Sequence, residues 1–229
     1  MTLDEQTLLD DALLLVEQNF YFLHAGAFYS QISRAANLSY HFDTTVSKKF
    51  EDGSTYSFTP SIIREILDDA PLVAEGETTL FEYFVEFNAF RGICMAMVEA
   101  LRLESAFRVF LQERLGERFE DFIDILSFIR NVLSHNIHAE IALSTKDYEG
   151  TLGRIQRMRR DPNITLRFRY TQDLPELCVP DEAYGFDCHV DFASLSTGMP
   201  FLDILSPREL FLMSEWCFNL STAYKIAKP

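Results

Sequence analysis

The residues of this chain best equipped for chemistry are Arg130-Asn131-Val132-Leu133-Ser134-His135, an arginine, a polar neighbour and, after three spacers, a histidine. A histidine can take or give a proton near neutral pH, and the planar fork of an arginine binds a pair of anionic oxygens. The set therefore suits acid–base work on an anionic group. Position on a helix decides whether the residues can cooperate. From Phe119, the apolar residues Phe122, Leu126, Ile129, Leu133 and Ile137 recur at three- and four-residue steps, one stripe of an α-helix facing a core. Ser127, Asn131, Ser134, His135 and His138 then fall on a polar face roughly opposite, with Arg130 at its edge. Asn131 and His135 are one turn apart and can share a ligand. Arg130 and His135 are separated by about 7.5 Å of rise, a gap an arginine side chain can close.

An Arg, then a polar Asn, His or Asp, then three residues and a His, on a late helix of a helical bundle, resembles the signature of the HEPN superfamily (higher eukaryotes and prokaryotes nucleotide-binding). Arg130, Asn131 and His135 are the matching positions, and the helical context extends the resemblance loosely over about the first 145 residues. The resemblance implies a metal-independent endoribonuclease acting as a dimer, with toxin, defence or stress roles. In RNA cleavage a 2′-hydroxyl loses a proton, a pentavalent phosphorane is neutralised and the 5′-oxygen is protonated as it leaves. His135 would be base or acid, Arg130 would hold the non-bridging oxygens, and Asn131 would orient the histidine or the phosphate. One histidine per chain does not easily fill both proton-transfer roles, so the site is expected to be composite across a two-fold axis. The expected homodimer uses the motif helix, where Ile125, Phe128, Val132 and Ala139 form a second apolar stripe beside His135. The rival reading is that Arg130 and His135 belong to an ordinary polar network and that this stripe faces strands of the same chain.

Composition narrows the partners. Twenty basic against 35 acidic side chains give a formal charge of −15, which argues against a general polyanion binder. Locally the sign reverses: Lys146, Arg154, Arg157, Arg159, Arg160, Arg167 and Arg169 face only Asp147, Glu149 and Asp161 in the same window, a local net of +4. Such a window beside the motif could hold a phosphate backbone, making Ser134, His138, Arg154, Arg157, Arg159 and Arg160 candidate RNA contacts. Pairing of these arginines with the surplus acids is the competing expectation. Cys94, Cys178, Cys188 and Cys217 lack CxxC spacing and read as reduced, mostly buried thiols of a cytoplasmic protein. The acidic start, with Thr2 and Glu5 as a capping box, is not a signal peptide, and no apolar run approaches the ~20 residues of a membrane span.

The chain, residues 1–229, is expected to form one domain, since a chain this long can bury roughly 70–75% of its unfolded surface. Residues 1–145 read as a helical bundle carrying the motif helix; residues 146–229 read as the basic window, a β-hairpin and a C-terminal helix. The fold class is mainly α, a HEPN-like bundle with a small antiparallel hairpin inserted before the last helix. In detail, residues 3 to about 36 form a helix with a break near Gly26, apolar on two faces and therefore sandwiched. Leu8, Ala12, Leu15 and Phe22 mark one face; Leu9, Leu13, Val16, Phe20 and Leu23 mark the other. Residues 38–58 suggest a loop or hairpin around Asp52-Gly53. Thr59-Pro60 opens a short helix, a capping box at Thr79 and Glu82 opens a long one reaching Leu115 and Gly116, and the motif helix covers about 117–143. Alternation at Ile164–Tyr170 and Phe186–Phe192 gives two half-buried strands, with arginines of one facing acids of the other. That pairing is preferred to a metal cluster at Asp187, His189 and Asp191. Ser206-Pro207-Arg208-Glu209 caps the final helix, in which Trp216 and Phe218 are expected in the core.

No GxGxxG, GxxxxGK[ST], GxSxG or HExxH occurs, so dinucleotide, P-loop, α/β-hydrolase and zincin chemistries find no support. His24 and His41 lack partners at metal-ligand spacing, and His135 with His138 lacks a completing carboxylate, so no metal or other cofactor is expected. Three functional classes remain: an RNA-cleaving dimer in which the motif is essential; a catalytically silent binding or regulatory module, such as the partner of a nucleotidyltransferase-like antitoxin protein; and a structural helical protein in which the motif is incidental.

Overall fold

The computed structural model describes residues 3–36, 46–58, 61, 80–103, 105–136, 141–177 and 184–227. The helices are α1 (Leu3–Ala36), α2 (Leu80–Leu103), α3 (Ser105–Leu115), α4 (Phe119–His135), α5 (Thr145–Arg157), the short α6 (Tyr170–Asp173) and α7 (Phe201–Ile204), and α8 (Pro207–Ala227). The strands are β1 (Val46–Lys49), β2 (Thr55–Phe58), β3 (Asn163–Arg169) and β4 (Gly185–Asp191). The chain is mainly helical, with an antiparallel β3–β4 hairpin before the C-terminal helix. It gathers into two compact units, Met1–Phe20 with Ala89–Pro229, and Tyr21–Asn88. Among the described residues no helix is long and apolar enough to cross a membrane.

Several boundaries follow from the sequence as expected. β1 and β2 pair antiparallel around a turn in which Gly53 takes φ 84°, a conformation glycine adopts without steric cost. Gly116, at φ 55°, ends α3 in the left-handed conformation typical of a helix C-terminus. Ser206 donates its N–H and Oγ–H to Glu209 Oε2 at 2.8 and 2.6 Å, closing the capping box of α8. In the β3–β4 register Arg167 stands opposite Asp187, and Arg169 Nη1 reaches the same carboxylate at 2.9 Å. The short helix expected after Thr59, the capping boxes at Thr2 and Thr79, Cys178, His138 and Ala139 lie outside the described residues.

Other expectations need correction. α1 does not break at Gly26: the helix runs on to Ala36, and the glycine allows a close approach to Val85, since an added Cβ would lie 2.2 Å from Val85 Cγ1. Nor is α1 sandwiched. Leu9, Ala12, Leu13, Val16, Phe20 and Leu23 are buried, but Leu8, Leu15 and Phe22 are half-exposed. The long helix expected to reach Leu115 is described as α2 and α3, with residue 104 between them lying outside the described residues. The motif helix ends at His135 rather than near 143, since Asn136 turns to φ −107°, ψ 122° and caps it by donating Nδ2–H to Val132 O at 2.8 Å. What reads as a basic window contains a helix, α5, opened by Ser144 and Asp147.

The core of the larger unit forms around α4. Phe122 meets Phe168 of β3 edge-on with centroids 6.2 Å apart, and Phe168 stacks on Trp216 of α8 at 4.3 Å. Aromatic pairs of this kind add about 0.5–1.5 kcal/mol each beyond area burial. Trp216 is fully buried as expected, whereas Phe218 is half-buried, stacked on Phe20 at 4.6 Å. Ile125, Phe128 and Val132 are buried too, with Phe128 packed on Phe192 and Phe201 at 5.5 and 5.9 Å. The stripe assigned to a dimer contact is thus filled by the chain's own segments around β4 and α7. Cys94, Cys188 and Cys217 are buried free thiols, and burial pushes Cys94 and Cys188 up to about 12.

Candidate functional site

The end of α4 and the start of α5 meet at His135. His135 Nδ1 lies 3.0 Å from Asp147 Oδ1; the histidine side chain is 46% exposed and the aspartate is fully buried. The local sequence explains why Asp147 is there. It sits in the first turn of α5, where its Oδ2 accepts the Ser144 N–H at 2.7 Å and the Ser144 Oγ–H at 2.9 Å, and where the helix dipole favours a negative charge. Oδ1 is left for the imidazole. An ionised carboxylate only accepts hydrogen bonds, so the pairing fixes Nδ1 as the protonated nitrogen and leaves Nε2 with a lone pair for another group.

Arg91 of α2 fastens the other side of this corner. Its Nε donates to Leu133 O and its Nη2 to Asn136 O at 3.5 Å, so a cation covers carbonyls that the helix end leaves without partners. Sequence reasoning missed both Asp147 as a partner of His135 and Arg91. The signal for Asp147 was available in Ser144-Thr145-Lys146-Asp147, a serine followed three residues later by an acid, which marks a helix start. Arg91 gave no comparable signal, because its contact depends on the packing of α2 against α4.

The three motif residues do not form one cluster. Arg130 Nη1 donates to Asn131 Oδ1 at 2.8 Å, so those two are joined. On a regular helix Arg130 and His135 point about 140° apart. Arg130 lines a cavity of about 380 Å³ with Leu15 and Asn19 of α1 and with Gly92, Met95 and Arg102 of α2, whereas His135 turns to α5. Asn131 is half-buried beside Arg130, and Ser134 is exposed next to His135.

The basic window divides. Arg154 donates Nε–H and Nη2–H to Asp124 Oδ1 at 2.8 and 2.5 Å and Nη1–H to Glu120 Oε2 at 2.8 Å. Arg160 donates to Asp124 Oδ2 at 2.7 Å and to Asp121. These two arginines clamp α4, in keeping with the expectation that acids of the same chain take up arginines. Asp124 is fully buried, and burial pushes its carboxyl up against the pull of both guanidinium groups. Arg157 and Arg159 are exposed. Arg159 adopts φ 55°, since its N–H and that of Arg160 turn back to Gln156 O and Ile155 O at 3.0 and 3.1 Å, a Schellman closure of α5.

Chemically, the corner offers an accessible imidazole paired with a buried carboxylate, with the Arg91 guanidinium of α2 bound to the same helix end and Arg130 turned away toward its own cavity. Such an orienting pair can support proton transfer or an activated nucleophile. Among the described residues no group of three or more His, Cys, Asp or Glu side chains could hold a metal ion. Comparison with family models, with curated proteins and with solved structures yields no match.

Proposed function

We propose that the chain is a metal-independent endoribonuclease of HEPN type in which His135 carries out proton transfer. The observation behind this reading is the His135–Asp147 pair: a half-exposed imidazole whose Nδ1 is fixed by a fully buried carboxylate, leaving Nε2 open. In the proposed step Nε2 takes the proton of an RNA 2′-hydroxyl, the 2′-oxygen bonds to phosphorus and the bond to the 5′-oxygen breaks. That oxygen leaves with a proton supplied by a second acid, for which a His135 of another copy is the candidate, and a 2′,3′-cyclic phosphate remains. Within one chain Arg130, joined to Asn131, turns away from His135, so the Arg130 that would neutralise the phosphorane is assigned, like the second acid, to another copy. Asp147 acts as a positioning residue, through the histidine. The test is incubation of the purified chain with total RNA in EDTA, wild type beside His135→Ala. Cleavage by the wild type alone, with cyclic phosphate ends, is the expected result; no cleavage by the wild type, equal cleavage by both, or cleavage abolished by EDTA defeats the proposal.

One observation favours the second reading, a catalytically silent module that binds a protein such as a nucleotidyltransferase-like antitoxin. Arg154 and Arg160, two of the arginines expected from the sequence as RNA contacts, are engaged by Glu120, Asp121 and Asp124. In that case the wild type binds its partner without cleaving RNA, and His135→Ala leaves binding unchanged.

A further inference from the structure

We propose that the cavity beside Arg130 binds a medium-chain fatty acid, with Arg130 holding the carboxylate and side chains of α1 and α2 covering the aliphatic chain. At about 380 Å³ the cavity falls in the range of about 300–1,000 Å³ usual for small-molecule sites. Every residue that lines it belongs to the larger compact unit. Leu15 of α1 and Met95, Ala96 and Val98 of α2 supply apolar walls. Leu15 and Met95 are 54% and 49% exposed, so a ligand that enters removes apolar surface from solvent. Among the described residues no aromatic ring lines the cavity, which favours an aliphatic body over a base or other stacking ring. Gly92 shapes the floor. An added Cβ there would lie 2.1 Å from Asn19 Oδ1, so the glycine lets the Asn19 amide lie close against α2, while its Nδ2 donates to Leu15 O at 2.8 Å.

The charges around the cavity select the head group. Arg102 and Glu99 lie 3.6 Å apart with both side chains more than half exposed, and they offset each other. Arg130 is different. Among the described residues it has no carboxylate partner, and its Nη1 donates to the neutral Asn131 Oδ1 at 2.8 Å. A guanidinium carries five donors in a planar fork, so enough remain to meet both oxygens of a carboxylate, and the Asn131 bond holds the fork in place. The formal charge of −15 over the chain disfavours a ligand with several negative charges, so a single carboxylate answers the single uncompensated cation. The tail has a path as well: the lining positions of α2 run from Gly92 to Arg102, a rise of about 15 Å along one helix. The proposal does not rest on the ribonuclease reading. Under that reading the fatty acid takes the Arg130 fork from a phosphate and inhibits cleavage, but the test is direct binding, so either can fail alone.

Isothermal titration calorimetry of the full chain with decanoate, kept below its micelle concentration, should show one site per chain. Octanoate should bind roughly tenfold more weakly, the loss of two buried methylenes. Decanol keeps the chain without the charge and acetate keeps the charge without the chain, and each should bind at least about tenfold more weakly than decanoate. Arg130→Gln should weaken decanoate by at least about tenfold while leaving decanol unchanged, a split that a merely structural role of Arg130 would not produce. Met95→Glu, which sets a charge in the apolar wall, should weaken decanoate and decanol alike. Far-UV circular dichroism checks that each variant is folded; should Arg130→Gln not fold, the decanol comparison and Met95→Glu, at a half-exposed position, decide the matter. No binding of decanoate, several equivalent sites per chain, decanol binding as tightly as decanoate, or an affinity indifferent to Arg130→Gln or to Met95→Glu would each overturn the proposal.

Discussion

The two ends of α4 use the same ingredients to opposite effect. At the N-terminal end a fully buried acid of α4, Asp124, receives Arg154 of α5 and Arg160 beyond it. At the C-terminal end a fully buried acid of α5, Asp147, receives His135 of α4. Both ends join the same two helices through a carboxylate shut away from water. The difference lies in the partner. A guanidinium is always charged, and two of them with five donors each hold Asp124 from both oxygens, so that end has no freedom left to do chemistry. An imidazole offers a second ring nitrogen, and the His135 side chain is half exposed, so it stays within reach of another group. A buried carboxylate alone does not mark a site; the chemistry and access of what it holds do.

The comparison breaks most readily at the clamp. Asp124→Ala leaves two arginines with Glu120 and Asp121 but no buried acid between them, and removing one partner of a buried charged network typically costs about 3–5 kcal/mol. Urea denaturation should show a loss of that order, a large part of the about 5–15 kcal/mol of a typical domain. A loss below about 1 kcal/mol would put the clamp among ordinary surface ion pairs.

The next effect is expected at the other end and in another quantity. His135→Ala should lower RNA cleavage by about 10²–10³, equivalent to 2.7–4 kcal/mol of barrier. Its folding stability should fall by no more than about 1 kcal/mol, because Asp147 keeps its Ser144 donors. Asp147→Asn keeps an acceptor of the same shape for Nδ1 while removing the charge, so it should lower cleavage less than His135→Ala does. If His135→Ala instead unfolds the chain as Asp124→Ala does, the two ends are alike and both are structural.

How far this contrast was legible in the sequence depends on range. Local signals carried well. The 3.6-residue period found α4, the two-residue period found β3 and β4 with Arg167 opposite Asp187, and Ser206 with Glu209 found the start of α8. Signals that depend on which surface meets which did not carry. The stripe of Ile125, Phe128 and Val132 has the same pattern whether it meets another chain or Phe192 and Phe201, and only the fold decides. The candidate site was half legible. Arg130, Asn131 and His135 were visible as a spacing, but helix rotation sends Arg130 and His135 to different neighbours. Arg91 comes from a residue 44 positions before His135, where no periodicity points to it. α5 was hidden because its arginines drew attention as charges while Ser144 and Asp147 passed unread as a cap.

A smaller effect sharpens the contrast at the turn that carries Arg160 into the clamp. Arg159 sits in the left-handed region, which costs a residue with a β-carbon roughly 1–2 kcal/mol relative to the right-handed one. Arg159→Gly should therefore stabilise the chain by up to about 1 kcal/mol, part of the gain being offset by the greater freedom of glycine in the unfolded chain. Thermal melting checks this. A loss of stability would mean that the Arg159 side chain itself holds the turn.

The smallest effect concerns one of the window's exposed cations. Arg157 is exposed in the last turn of α5, on the same helix as Arg154. If RNA runs past the corner at His135, Arg157 contributes one phosphate contact, and Arg157→Ala should reduce the slope of log binding constant against log salt by about 0.7, the value for one contact to a single strand. Its stability should stay within about 0.5 kcal/mol of the wild type, as for most exposed substitutions. Fluorescence anisotropy with a short labelled RNA over a salt series, on His135→Ala protein so that no cleavage intervenes, measures the slope. An unchanged slope would remove Arg157 from the RNA path.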